Sequence, residues 1–251
     1  MFQKFMTGAL IAGGAAGLLA AFLHFAFVQE YILLGERYEF GEVVHFEATA
    51  PAMGTHDHAP DTSDMVDQAA EDGGHDHSRS VPEEGAGMTR DLLTVAFTAL
   101  IYISYAMLMT AGFGIAAQLG LSIGATQGAL WGLAGYAAFQ LAPAMGLPPE
   151  LPGTVAVDLS ARQVWWWGTV CGTGIGIALI AYSRNLALVG IGALLIAAPH
   201  IVGAPRLDEF YSYAPAEVGA AFSARVLGVG LAVWVVMGWL AGRLWAHGQE
   251  T

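Results

Sequence analysis

Six apolar stretches dominate this chain, at about 5–28, 92–118, 124–146, 165–182, 186–203 and 226–246, and each can cross the hydrocarbon of a bilayer. Backbone in hydrocarbon must satisfy its own N–H and C=O groups, so each stretch reads as a helix. The chain has 251 residues, 55% hydrophobic and 12% charged, with a mean hydropathy of +0.54. It is predicted to be an all-α integral membrane protein, a bundle of about six transmembrane helices. Pro199 and His200 lie near the end of the fifth stretch, and folding it back as a re-entrant segment would leave five spans. Lys4 precedes the first stretch as in a signal peptide, but the run from Phe5 to Val28 is too long for a signal core and predicts an uncleaved helix. The organisation expected is a first helix at 1–28, a loop at 29–90 and the rest of the bundle at 91–251.

The formal net charge is −12, yet 14 of the 21 carboxylates fall between Glu30 and Glu84. The acidity therefore describes one loop, and nucleic acid is not an expected partner. Cys171 is the single cysteine, which excludes an intrachain disulfide and a cysteine-based metal site. What the loop does carry is His56-Asp57-His58 and His75-Asp76-His77. Imidazole with carboxylate suits divalent first-row metals, and both clusters could wrap one ion with His45, Glu71 or Asp72 completing the shell. Gly54 to Gly87 lacks aromatics and periodicity and is expected to be disordered when unliganded. Ordering it costs conformational entropy, so capture would be weak, fast and unselective. The competing view is a solvated acidic linker with incidental histidines. A Lys/Arg count does not decide orientation, since Lys4, Arg184 and Arg243 face Arg90, Arg162, Arg206 and Arg225. A cytoplasmic amino terminus is preferred because it leaves the carboxylate-rich face outside. Scarce lysine with abundant Ala, Gly and Arg points to a GC-rich or salt-adapted prokaryote, and the location expected is a prokaryotic cytoplasmic (inner) membrane.

Ionisable groups inside a bilayer are costly and are functional candidates. His24 lies within the first stretch and Glu30 near its outer end, six residues on and so on a different helical face. They could be successive stations but not one site; the alternative for His24 is an interhelical hydrogen bond. His200 follows Pro199, which frees a carbonyl one turn earlier. In Leu147-Pro148-Pro149-Glu150-Leu151-Pro152-Gly153, three prolines fix Glu150 toward Arg162 or an incoming cation, unless the segment is only a stiff turn. Thr98, Tyr102, Tyr105 and Met109 form one helical stripe that could line a pathway but more often reflects packing; Met107, Met145 and Met237 read as core. Gly120, Gly124, Gly128 and Gly132 recur at every fourth position, as do Gly168, Gly172 and Gly176, with Gly13/Gly17 and Gly238/Gly242 alongside. Such stripes let helices approach closely and predict a tight bundle or a homo-oligomer. Trp165-Trp166-Trp167 suits a membrane boundary.

Ser160-Ala161-Arg162 and Ser223-Ala224-Arg225 open the fourth and sixth stretches, while Ala142-Pro143 and Ala198-Pro199 end the third and fifth. Three tandem helical hairpins in parallel would produce this pattern, as would the general preference of Pro and Arg for helix ends. No G-x-x-x-x-G-K-[ST], H-E-x-x-H or nucleophile elbow occurs. The chain is therefore not expected to be an ATP-driven pump or an enzyme, and no prosthetic group is expected.

The amino-terminal Gly-rich span with His24 and Glu30, Pro148-Pro149-Glu150-Leu151-Pro152-Gly153, Ala161-Arg162-Gln163 before Trp165-Trp166, and Pro199-His200 with Gly203-Ala204-Pro205 together resemble the CbtA family of predicted cobalt transporter subunits. The resemblance covers nearly the whole chain apart from the acidic loop. It implies cobalt uptake beside a small single-span partner, CbtB, and a family often described with five spans. The function expected is uptake of a divalent cation, Co²⁺ before Ni²⁺ or Zn²⁺. Two others stand against it: a non-conducting metal-binding or scaffold subunit, and a loop that binds protein instead of metal.

Overall fold

The computed structural model describes residues 2–44, 84–209 and 211–250, and among these it is a helical bundle without a β-strand. The helices are α1 (Phe2–Phe27), α2 (Gln29–Glu39), α3 (Glu84–Gln118), α4 (Ala125–Tyr136), α5 (Ala142–Ala144), α6 (Leu159–Tyr182), α7 (Leu186–Val202) and α8 (Ala216–Glu250), with a π-helical turn at Ala137–Leu141 joining α4 to α5. Phe5–Phe27, Gly87–Gln118, Leu159–Tyr182 and Ala216–Gln249 are long and apolar enough to cross a membrane. α7 is a shorter apolar helix, and α4, the π turn and α5 in succession cover the third apolar stretch. The protein is thus an all-α membrane bundle.

Two differences from expectation concern the long loop. Its first eleven residues are helical, because α1 breaks at Val28 and restarts as α2. Its end is helical too, since α3 begins at Glu84. The clusters at 56–58 and 75–77, and His45, Glu71 and Asp72, lie outside the described residues.

Packing follows the small residues. A Cβ at Gly128 would strike the Gly238 carbonyl, one at Gly132 the Trp234 carbonyl, and one at Gly238 the Gly128 carbonyl, so α4 and α8 lie backbone to backbone. Gly13 and Gly17 likewise meet the Ile103 and Ala99 backbone of α3. Gly176 and Gly192 pack α6 on α7, where an added Cβ would stand 2.6 and 2.7 Å from the opposite carbonyl oxygen. Gly168 faces open space, and Gly120 (φ +81°) ends α3 in the left-handed conformation. Packing partners therefore do not follow the tandem hairpins. α1 pairs with α3, but α4 packs on α8, and among the described residues α7 touches α6 and no other helix.

The core between α1, α3, α4 and α8 centres on Phe113, Val233 and Met237, with Trp234 and Trp245 beside them. Tyr102 and Tyr105 pack against it and Met109 is buried within it, so three of the four stripe residues serve packing, while Thr98 lies outside this core. Met145 departs from the core reading at 73% exposure.

Candidate functional site

All three connections on one face converge there: α2 with the start of α3, the proline-rich 145–158 segment, and 203–215. Val28, Leu151, Ala214 and Phe222 form a second apolar cluster beneath them. Thr154 and Ser212 make an isolated antiparallel bridge, and Val155 N–H donates to Tyr211 O at 3.2 Å. Gly35 of α2 sits against Leu151 and Pro152, and Ser223 Oγ donates to Pro149 O at 2.7 Å. A stiff proline run needs few such fastenings to hold its shape.

This cap carries most of the described charge. Glu150 accepts from Arg162 Nη2 at 2.9 Å, both side chains about one-third exposed, so of the two partners expected for Glu150 the structure supplies Arg162. Arg90 at the start of α3 reaches Glu36 at 3.6 Å, and Arg37 reaches Glu42 at 3.4 Å. The Arg225 guanidinium lies 4.2 Å from the Tyr31 ring centre and donates to Ala221 O. Asp158 caps α6 by accepting from the Ser160 hydroxyl and from Ala161 N–H, which hold its carboxyl below the usual carboxylate range.

The intramembrane candidates are spread over this framework. His24 is half-buried in the last turn of α1, edge-on to Phe25, with Asp91 of α3 as its electrostatic neighbour. Asp91 also takes a long contact from Gln29 Nε2, 3.5 Å. Sequence reading missed this proximity because 66 intervening positions separate His24 from Asp91; only the packing of α1 on α3 brings them near. Glu30 is exposed on α2. His200, half-buried in the last turn of α7, meets the Trp165 ring edge-on at 6.0 Å. Trp165 Nε1 donates to Pro199 O at 3.0 Å, and Pro199 leaves Leu195 O without its usual helical donor, facing Gly172. Among the described residues no group of three His, Cys, Asp or Glu is arranged to hold a metal ion. His24, Glu30, Glu150 and His200 are therefore not gathered into one site.

Another polar position escaped the sequence altogether. Gln140 lies in the π turn with its amide against Gly230 of α8, where an added Cβ would displace it, and its Oε1 is buried without a hydrogen-bond partner among the described residues. Thr173 Oγ1 on α6 is in the same condition. π turns recur at functional positions in helices. A lone glutamine in an apolar run gives no spacing signal that would flag it.

Apolar helices of spanning length, close glycine packing and a charged cap on one face define a multi-pass membrane protein. Over residues 2–246 the chain matches the family described as "Probable cobalt transporter subunit (CbtA)". It belongs to that family. No curated protein and no solved structure matches it.

Proposed function

We propose that this chain takes up a divalent transition-metal cation, cobalt in preference, as the membrane subunit of an uptake system in a prokaryotic inner membrane. The family match over residues 2–246 carries this reading. It is supported by the cap, whose carboxylates include Glu30, Glu36, Glu39, Glu42 and Glu150, with His24 below and Asp91 as its electrostatic neighbour. In this scheme the amino terminus is cytoplasmic, and the His56–His58 and His75–His77 clusters collect ions outside. Glu30 and Glu150 receive them at the mouth, and His24 and His200 offer stations within. A carboxylate and imidazole set does not by itself favour cobalt over nickel, because affinity at such sites generally rises from cobalt to nickel. Selectivity would then reside in the helices.

The family description as a subunit favours a second reading, in which the chain binds metal and assembles with a single-span CbtB-like partner but does not conduct alone. Uptake of Co²⁺ into proteoliposomes separates the two. The permease reading expects uptake by this chain alone, reduced at least tenfold in a His24→Ala, His200→Ala variant. Uptake only with the partner present supports the second reading, and unchanged uptake by the double variant removes both histidines from the path.

A further inference from the structure

Between α3, α4 and α6 lies an apolar cleft of about 530 Å³. Ser122, Gln127 and Tyr182 stand at its mouth, on the face opposite the cap, and Tyr105, Phe139 and Gly174 at its inner end. From Gln127 to Ala138 the helix rises about 16 Å, close to half of the roughly 30 Å hydrocarbon thickness. The cleft closes there. Ala138, Phe139 and Gly174 line its inner end, where the Phe139 ring stacks on Trp234 at 5.8 Å and meets Trp166 edge-on at 6.1 Å. A partner transmembrane helix needs a groove through both leaflets, whereas this one is a single leaflet deep.

Polarity within it is graded along its length. The walls are apolar, and apart from the Tyr105 hydroxyl at the inner end the polar side chains gather at the mouth, where Trp131 Nε1 donates to the Tyr182 hydroxyl at 3.0 Å. Two residues beyond Tyr182, in the tight turn between α6 and α7, Arg184 is exposed and makes no ion pair among the described residues. An apolar slot of one-leaflet depth beneath an unpaired guanidinium matches one acyl chain beneath one phosphate.

We propose that this cleft binds an anionic phospholipid of the leaflet on the Arg184 side, one acyl chain lying between α4 and α6 and the phosphate at the 183–185 turn. The site is independent of the metal. It explains how α6 stays beside α4 although the two helices touch mainly at the π turn and α5.

Native mass spectrometry of the full chain, purified in mild detergent and exchanged against phosphatidylglycerol or phosphatidylethanolamine, tests this. Wild type is expected to retain one phospholipid and to prefer phosphatidylglycerol about fivefold, the effect of one cation near a lipid phosphate. Ala178→Trp and, independently, Ala181→Phe fill the cleft from exposed wall positions and should each lower retention at least fivefold while the fold stays intact by circular dichroism. Arg184→Ala should retain lipid and lose the preference. Wild type that holds no lipid, cleft-filling variants that hold as much as wild type, or a preference that survives Arg184→Ala would each overturn the assignment. So would an Ala178→Cys variant that cross-links to a second polypeptide.

Discussion

Gly132 shows how narrowly some positions are set. Its hydrogen faces the Trp234 carbonyl of α8, and any side chain would force the α4 and α8 backbones apart. Gly132→Leu should cost about 3 kcal/mol or more of stability, read by steric trapping or by unfolding in mixed micelles. Gly168 belongs to the same kind of sequence stripe but faces open space, so Gly168→Ala should be neutral or slightly stabilising in that assay. Equal losses at both positions would contradict the packing. Spacing in the sequence identified both glycines and could not tell them apart, because a four-residue period marks a helical face without saying what lies against it. Trp165 is a milder case: Trp165→Phe removes the bond to Pro199 O and should cost about 1 kcal/mol.

At the scale of the element, the start of α6 is governed by Asp158. Its carboxyl is held below the ordinary value, so the cap is fully present above that value and is lost as pH falls through the lowered one. Ser160→Ala removes the largest cause of the depression, and the loss should then begin at a higher pH. Hydrogen exchange at the Ala161 amide across an acid titration checks this; an unchanged profile would count against the cap. The π turn is a second element with a local cause. Pro143 brings no N–H and crowds the preceding turn, and the Ala142 N–H bonds back to Ala137 O to give the widened turn. Apolar length made the membrane helices legible in advance. It could not show α2, where Gln29-Glu30 looks like an exit from the membrane while the backbone restarts as helix, nor the polar first turns of α3 and α8, which continue the helices beyond their apolar runs.

Across the whole molecule, α1, α3, α4 and α8 share one aromatic core, while the α6–α7 pair joins it chiefly through the π turn, α5 and a few contacts with α4. Opening free energy should follow this division. Hydrogen exchange in detergent is expected to find α6 and α7 exchanging together and sooner than α4 and α8, and the reverse order would refute the partition. The order of packing was hidden in the sequence, where tandem motifs suggested neighbours by chain position; in space, α4 takes α8 and α6 takes α7. The candidate pathway residues were equally unreadable as a set, since a histidine in an apolar run declares its cost but not its neighbours.

The bridge between Thr154 and Ser212 has a mechanical meaning. It ties the connections leading into α6 and α8 at the capped face, together with the Glu150–Arg162 pair. At the other face, Trp131–Tyr182 is the one hydrogen bond between side chains of α6 and α4 among the described residues. A rod of about 36 Å fastened at one end and lightly latched at the other is a lever. A tilt of about 10° at its pivot swings the far tip by roughly 6 Å. Tyr182→Phe should release that latch and broaden the distance between spin labels at positions 121 and 186, while leaving labels at 154 and 212 in place.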